Sequence, residues 1–202
     1  MTTTETNTIP TLLAADTRGT VLEPGSPEYI VEVSGFNAAV DHQPAAVVVV
    51  EDADDVSAAV VIASGAGAKV AVKCTGHGAV AAGPDTVLIS TRRLNTVFVD
   101  QHARTATIGA GVVWQQVIDA AAPFGLAPLT GSSTTVGAVG YLLGGGMSPI
   151  SRTYGYAADH VRSFEIVTAD GVVRHADADR NPELFWAVRG GGAAFGIVTE
   201  LV

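Results

Sequence analysis

Residues 125–160 of the chain read GLAPLTGSSTTVGAVGYLLGGGMSPISRTYGYAADH, and this stretch combines many glycines with small hydroxyl side chains. Glycine weakens regular structure, so its density here indicates a backbone that turns with positive φ or comes close to a partner. The run 132–135 adds hydroxyl groups beside the backbone amides. Many N–H donors and little bulk suit a flat cofactor that carries phosphate groups. We therefore expect this stretch to bind such a cofactor.

The composition is that of a globular protein with a hydrophobic core. Of the 202 residues, 48% are hydrophobic and 15% are charged, which suits one or two compact domains. The formal net charge of −9 argues against binding to nucleic acid or to an anionic membrane, since both need clustered lysine and arginine. Cys74 is the one cysteine of the sequence, so no internal disulfide can form, and the spacing of the histidines predicts no metal site.

Residues 1–29 are predicted to be a flexible lead-in, because they are rich in threonine and contain three prolines. This segment has no basic n-region of a signal peptide. No run in the sequence approaches the roughly 20 apolar residues of a membrane-spanning helix. These features predict a cytoplasmic protein without membrane contact. The sequence ends within a predicted strand, which favours the front part of a longer protein.

A β–α–β unit is predicted after the lead-in. Residues 45–51 (AAVVVVE) form a β-branched run that is typical of a strand buried on both faces. Asp52 is expected to cap the next helix, with Asp55 at its third position. Residues 69–73 (KVAVK) complete the unit. The buried face of the helix is predicted to contain Val56, Ala59, Val60 and Ala63.

The pattern then becomes strand-rich, with short strands predicted at 86–91, 96–100 and 105–110. Periodicity predicts a helix over 113–122 with Trp114 in the core. Two strands, over 161–168 and 172–176, are predicted around an Asp-Gly turn. A last helix, capped by Asn181, is predicted to pack Phe185 and Trp186 on the sheet, and a strand is predicted over 197–202. Together these elements predict a mixed α and β fold.

A second candidate feature is the segment 73–79 (KCTGHGA), at the end of the 69–73 strand. Its two glycines would let backbone amides curl around an anion while the imidazole of His77 projects freely. A solvent-exposed loop histidine without a special role is the other reading of the residues alone. For Arg92 and Arg93, a solvated turn and a phosphate clamp both stay open.

Common phosphate-binding and hydrolase motifs do not account for these features. The stretch 137–146 does not spell G-x-G-x-x-G, and no lysine follows Lys73, which excludes a P-loop. Residues 146–150 (GMSPI) lack the second glycine of the G-x-S-x-G nucleophile elbow.

The order of motifs resembles the FAD-binding domain of the p-cresol methylhydroxylase and vanillyl-alcohol oxidase type, in the berberine-bridge-enzyme-like branch of FAD-linked oxidoreductases. The resemblance runs from about residue 35 to residue 202. It rests on VKCTGHGA (72–79), LISTRRLNTVFVD (88–100), TATIGAG (105–111), GLAPLTGSSTTVGAVGYLLGGG (125–146), SRTYGYAADHV (151–161), FEIVTADG (164–171) and NPELFWAVRGGGAAFGIVTE (181–200). The chain has Lys73 and Thr75 where many members have an arginine and a second glycine.

The resemblance implies an α+β fold of two α/β subdomains, a small β–α–β unit and a larger strand-rich sheet with helices, with FAD between them. Residues 30–202 would form this FAD-binding domain, and the substrate domain of the relatives would lie outside the chain. The catalytic base of such enzymes is expected in that missing C-terminal part. No catalytic residue is therefore assigned.

The resemblance also implies which residues contact FAD. His77 matches the histidine that is often bonded covalently to the flavin 8α-methyl group, and the loop around it matches the segment whose amides hold the pyrophosphate. Ser133 stands where bicovalent members have a cysteine, so at most one covalent link is implied. The implied contacts are Cys74, Thr75, Gly76, His77, Gly78, Ser132, Ser133, Thr135, Val136, Gly137, Gly140, Gly144, Gly145, Gly146, Ile197 and Val198.

The implied activity is oxidation of a small organic substrate by hydride transfer to FAD. Val136 matches a position where members with valine tend to react with oxygen, which favours an oxidase with molecular oxygen as a partner. Two alternatives stay open: a truncated flavin-binding module without catalysis, and a glycine-rich domain without a cofactor. The sequence indicates no oligomeric state.

Overall fold

The computed structural model describes residues 8–78 and 80–202, which divide into two compact units. Unit 1 contains the described residues up to Arg93 together with Ala169–Val173, and unit 2 contains Leu94–Thr168 and Arg174–Val202. Within these described ranges, no helix is both long enough and apolar enough to cross a membrane.

Unit 1 is built on a four-stranded sheet with the strand order β1-β2-β4-β3. Its elements are α1 (Thr8–Asp16), β1 (Thr20–Leu22), α2 (Pro27–Val33), β2 (Ala46–Val49), α3 (Ala53–Gly65), β3 (Lys69–Lys73) and β4 (Thr86–Ser90). Strands β2 and β3 are both parallel to β4, whereas β1 is antiparallel to β2. All residues of β2 and β4 are buried, as expected for inner strands of a parallel sheet.

The predicted strands and helix of the β–α–β unit are confirmed. Asp52 caps α3 by accepting a hydrogen bond from the Asp55 amide at 3.1 Å, and the predicted apolar face of α3 is buried. The prediction placed residues 86–91 in the strand-rich second part, and this is wrong, because β4 lies between β2 and β3. A short apolar run predicts a buried strand but carries no signal for the sheet it joins.

The prediction of a flexible lead-in over residues 1–29 is wrong for the described part of that segment. Ile9 and Leu13 of α1 are buried in the core of unit 1, β1 pairs with β2, and the Ser26 side chain caps α2. Residues 1–7 lie outside the described residues. The prolines were interpreted as a sign of irregular chain, but proline is compatible with the first turn of a helix.

Unit 2 is built on a five-stranded sheet with the strand order β5-β6-β9-β7-β8. Its elements are β5 (Val97–Asp100), β6 (Thr105–Gly109), α4 (Trp114–Ala121), α5 (Ala138–Leu143), α6 (Ser151–Tyr154), β7 (Ser163–Val167), β8 (Val173–Asp177), α7 (Pro182–Gly191) and β9 (Ile197–Leu201). Strand β9 is antiparallel to both β6 and β7. The last strand in the sequence is therefore the central strand of the sheet.

Two predicted details of unit 2 differ in the structure. Phe185 is buried as predicted, but Trp186 is 74% exposed, because neighbouring residues of a helix point in different directions. Asn181 does precede α7, yet it has φ 50°, and its side-chain amide donates to the His175 carbonyl oxygen at 2.7 Å instead of capping the helix. Trp114 is buried, as predicted.

Candidate functional site

The histidine loop, residues 74–78, follows β3 in unit 1 and is held by the segment 34–37, which we call the clamp segment. The amide of Phe36 donates to the Thr75 carbonyl oxygen at 3.0 Å, and the amide of Asn37 donates to the Gly76 carbonyl oxygen at 3.4 Å. Gly76 has φ +76°, and a Cβ there would lie 2.8 Å from the Gly35 Cα. The two stretches of backbone approach so closely that Gly76 has no room for a side chain.

The imidazole of His77 is contacted on its face and at its edge by residues of unit 1. The ring of Phe36 stacks on it, with 3.8 Å between the ring centroids and an angle of 10° between the planes. At the edge, the Thr75 hydroxyl oxygen lies 2.8 Å from Nδ1 of His77. The predicted flavin-linked histidine is thus held in a defined orientation.

Charged side chains of unit 1 lie close to the histidine loop. Lys73 is buried and donates to the Ser34 carbonyl oxygen at 2.9 Å. Glu32 is also buried; it accepts a hydrogen bond from the Ser90 hydroxyl at 2.5 Å and pairs with Nε of Arg92 at 2.8 Å. Burial lowers the pKa of Lys73, and the Glu32 carboxylate opposes that shift. The loop is therefore joined to a polar network that includes α2.

The two arginines left open by the sequence both form ion pairs within unit 1. Arg92 pairs with Glu32, and Arg93 pairs with Glu51. Each arginine already pairs with a carboxylate, which favours the interpretation as a turn over the phosphate clamp. Cys74 is half-buried, and burial raises the pKa of its thiol.

His42 fixes the segment that returns from the histidine loop. Its Nδ1 accepts a hydrogen bond from the Ala82 amide at 3.2 Å, while the Gln43 amide donates to the Ala82 carbonyl oxygen at 2.7 Å. Burial, and next the charge of Lys73, lower the pKa of His42, whereas Asp41 raises it. Nε2 of His42 is buried and has no hydrogen-bond partner in the part of the chain that the structure describes.

In unit 2 the loop 131–137 runs beside the start of α4. The carbonyl oxygens of Thr134 and Val136 accept hydrogen bonds from the first two amides of α4, at 2.9 and 3.1 Å. The side-chain oxygens of Ser133 and Thr135 lie 3.0 Å apart, and both residues are exposed. The loop therefore uses carbonyl groups for its attachment and presents its hydroxyl groups outward.

Tyr141 of α5 lies between two glycine segments of unit 2. A Cβ at Gly131 would lie 2.9 Å from one edge of its ring, and a Cβ at Gly146 would lie 2.8 Å from the other. The ring also meets Trp114 edge-on, with 5.4 Å between centroids. Burial raises the pKa of Tyr141, and its hydroxyl group has no hydrogen-bond partner among residues 8–78 and 80–202.

The other predicted contact residues of unit 2 lie in the triple glycine, at the start of α5 and in β9. Gly144 ends α5, and the carbonyl oxygens of Gly145 and Gly146 accept hydrogen bonds from residues 158 and 157. Gly137 is buried and precedes α5. The side chains of Ile197 and Val198 are buried in the sheet, so any contact they make with a ligand is through the backbone.

Two glycines among the predicted contacts are needed neither for their φ nor for packing within the chain. A Cβ at Gly78 or at Gly140 would meet nothing within 4 Å, and neither residue has a positive φ. The amides of Gly76, Gly78, Ser132 and Ser133 donate no hydrogen bond to an acceptor in the described residues. Open Cα positions and unused amides fit a phosphate-bearing cofactor that approaches the backbone.

Sequence reasoning missed Glu32, Phe36 and Tyr141. Glu32 contacts Ser90 and Arg92, and Phe36 contacts the histidine loop. These partners are distant in sequence, and no local pattern marks such a contact. Tyr141 had a weak signal, since it lies within the glycine-rich stretch as its one aromatic residue before the triple glycine.

Comparison with known proteins places the chain in a family. The family described as FAD binding domain matches residues 44–177. (R)-6-hydroxynicotine oxidase of Paenarthrobacter nicotinovorans is 38% identical over 151 residues, which cover 74% of this chain and 33% of that protein. The chain spans about a third of the length of the curated relatives it matches.

Solved structures of FAD-linked enzymes share the fold. The 6-hydroxy-D-nicotine oxidase of Arthrobacter nicotinovorans has a TM-score of 0.86 at 32% identity, over 92% of this chain and 41% of that one. A glucooligosaccharide oxidase of Acremonium strictum, described with a 6-S-cysteinyl, 8α-N1-histidyl FAD, has a TM-score of 0.85 at 30% identity, over 96% and 41%. These likenesses confirm the α+β fold and FAD as the cofactor, and the chain belongs to the FAD binding domain family of FAD-linked oxidoreductases.

Proposed function

We propose that the chain is the FAD-binding part of an oxidase that oxidises a small organic substrate by hydride transfer to the flavin. FAD supplies the two-electron redox chemistry when bound, and the protein binds and orients it. The observation that carries this proposal is the open space at Gly78 and Gly140, which the fold of the chain itself does not require. Relatives described as oxidases support the reaction class.

The proposed FAD contacts fall into three groups by what they offer. Backbone amides of the histidine loop would bind phosphate oxygens, hydroxyl groups of the 131–137 loop would bind polar parts of the cofactor, and glycine and β9 backbone would allow close approach. The residues are Cys74, Thr75, Gly76, His77 and Gly78 in unit 1, and Ser132, Ser133, Thr135, Val136, Gly137, Gly140, Gly144, Gly145, Gly146, Ile197 and Val198 in unit 2.

We further propose one covalent bond, between His77 and the flavin. The oriented imidazole of His77 supports it, as does the histidyl FAD in the description of the Acremonium strictum enzyme. Ser133 has no thiol with which to form a second bond. Val136 supports molecular oxygen as the electron acceptor. Residues 30–202 are proposed as the extent of the FAD-binding domain. The substrate domain and the catalytic base are proposed to lie in a further part of the protein.

The test is whether flavin stays with the chain after denaturation. The purified chain is denatured in acid and run on a denaturing gel, where we expect yellow flavin fluorescence in the protein band. His77→Ala should lose this fluorescence, while His102→Ala, at an exposed histidine in unit 2, should keep it. Flavin released from the unaltered chain contradicts the covalent bond and leaves the FAD-binding role. A preparation without flavin contradicts both, and flavin bound without turnover favours a non-catalytic module.

A further inference from the structure

We propose that Phe36 and Thr75 are positioning residues that hold the imidazole of His77 in one orientation for bonding to the flavin. The inference rests on the proposed covalent attachment and deepens it. Phe36 and Thr75 both belong to unit 1, as does His77.

Phe36 fixes the plane of the imidazole. Its ring stacks on that of His77 at a centroid distance of 3.8 Å, although the Phe36 side chain is 70% exposed. Burial in a core therefore does not explain where this ring lies. Its backbone is anchored instead, because the Phe36 amide donates to the Thr75 carbonyl oxygen. A ring fixed at its own backbone restricts the tilt of the ring stacked on it.

Thr75 fixes the rotation of the imidazole within that plane. The χ2 torsion of histidine is broad, and a half-turn exchanges Nδ1 with a carbon atom at nearly the same position. A hydroxyl group 2.8 Å from Nδ1 distinguishes these two states, since a carbon atom there would form no comparable hydrogen bond. Thr75 occupies a position where the resembled family often has glycine, which carries no hydroxyl group.

The clamp segment holds Phe36 and the histidine loop in fixed positions relative to each other. Lys73 donates to the Ser34 carbonyl oxygen, and the Gly35 and Gly76 α-carbons lie against each other. The Asn37 amide donates to the loop at Gly76. These contacts leave the stacked rings little freedom to move apart, so the orientation of His77 is set before any cofactor binds.

The chemical step requires this orientation. In the proposed attachment, a bond would form between one imidazole nitrogen of His77 and the 8α-carbon of FAD, and one C–H bond of that carbon would break. The protons lost from that carbon and from the imidazole would pass to solvent, the two electrons of the C–H bond would reduce the flavin, and molecular oxygen would reoxidise it. The rate of bond formation depends on how often the nitrogen is correctly oriented, and Phe36 and Thr75 control this frequency.

The first experiment examines His77 without cofactor. In the flavin-free chain, the ¹⁵N resonances of the His77 ring report the hydrogen bond at Nδ1. We expect Thr75→Val to shift them towards those of an unconstrained histidine and Thr75→Ser to retain the original values. Identical spectra for the unaltered chain and Thr75→Val overturn the role of Thr75.

The second experiment measures how fast added FAD becomes resistant to denaturation. We expect Phe36→Ala and Thr75→Val each to slow this by about tenfold, the factor expected for one stacking or hydrogen-bond contact. Phe36 is not among the proposed FAD contacts, so Phe36→Ala should leave the reversible FAD affinity almost unchanged. Phe36→Tyr and Thr75→Ser should restore the rate. Phe98→Ala, which removes a similarly exposed aromatic ring in unit 2, is the matched control.

The outcomes separate this inference from the proposed function. Covalent flavin in all variants at the original rate overturns the positioning roles and leaves His77 as the attachment residue. If Phe36→Ala loses reversible FAD affinity in parallel with the attachment rate, the role of Phe36 is overturned, because a general disturbance of the loop then explains the effect. Flavin that never becomes covalent in the unaltered chain overturns the attachment and the inference together.

Discussion

The histidine loop of unit 1 and the glycine segments of unit 2 are held in place by different means. The histidine loop lies against another stretch of backbone, and the contact joins the α-carbons of Gly35 and Gly76. The glycine segments of unit 2 pack instead on one side chain, the ring of Tyr141. The backbone contact of unit 1 lies beside the oriented imidazole of His77. The Tyr141 ring of unit 2 supports stretches of backbone that carry almost no side-chain atoms. Glycine therefore allows a close backbone contact beside an imidazole in one region and makes room for an aromatic ring in the other.

The largest expected effect comes from breaking the backbone contact of unit 1. Gly76→Ala would place a methyl group 2.8 Å from the Gly35 Cα, at a residue with φ +76°. The left-handed conformation and the overlap with rigid backbone should together lower the free energy of unfolding by roughly 3–5 kcal/mol. Urea denaturation measures this. Gly78→Ala is the matched control and should change it by less than about 1 kcal/mol, since the space is open. Equal stability of the two variants contradicts the close approach.

The next effect tests the ring that supports unit 2. Tyr141→Ala should lower the free energy of unfolding by about 2–3 kcal/mol, because both glycine segments lose the surface they pack on. Tyr141→Phe keeps the ring and removes a hydroxyl group that has no partner among the described residues, so we expect a change below about 1 kcal/mol. Thermal or urea unfolding measures the free energy of unfolding of the two variants. A Phe variant as unstable as the Ala variant shows that the hydroxyl group supports the fold.

A smaller effect should make unit 1 sensitive to acid. Burial lowers the pKa of His42 below 6.5, so its contribution to stability is present above that pH and is lost as the pH falls through the folded-state value. Protonation removes the acceptor for the Ala82 amide, at a cost on the order of 1 kcal/mol. His42→Gln keeps an acceptor and should show a shallower loss of stability between about pH 7 and about pH 5. His102→Gln is the control, and an unchanged pH profile in His42→Gln contradicts this role.

The smallest effect separates stability from cofactor binding. Gly140→Ala should raise the free energy of unfolding by about 0.5–1 kcal/mol, because alanine favours a helix and the position is open. The same methyl group should weaken FAD binding if the cofactor approaches there. Gly65→Ala, at the end of α3, is also open and should give a stability gain without changing FAD affinity. Fluorescence titration with FAD provides the second readout, and equal affinities in both variants contradict a contact at Gly140.

Single helices and strands were predictable where residues close in sequence determine them. The cap at Asp52 and the buried face of α3 follow from spacing within one helix, and the elements were found at the expected places. The pairing of β4 between β2 and β3 was not predictable, because it joins strands separated by α3 and the histidine loop. Trp186 was misplaced because an aromatic residue in an amphipathic helix was taken as core, although Phe185 and Val188 already fill that face.

In both units, only part of the candidate site was predictable from motifs. His77 and the glycines could be named from the resemblance, whereas Phe36 and Tyr141 could not, since their roles depend on contacts with other segments. The helix that contains Glu32, α2, begins at Pro27, within the segment predicted to be a flexible lead-in, so the helix itself was not predicted. Supporting residues of this kind become visible only when distant segments are brought together.

The central position of β9 has a consequence for synthesis on the ribosome. The sheet of unit 1 has all four strands once residue 90 has emerged, so it can form while the rest is being translated. In unit 2, β6 and β7 meet only through β9, and the five-stranded sheet must wait for residues 197–201. Until then β6 and β7 each expose an unpaired edge, so nascent chains that pause before residue 197 should be the ones that most need chaperone protection against aggregation.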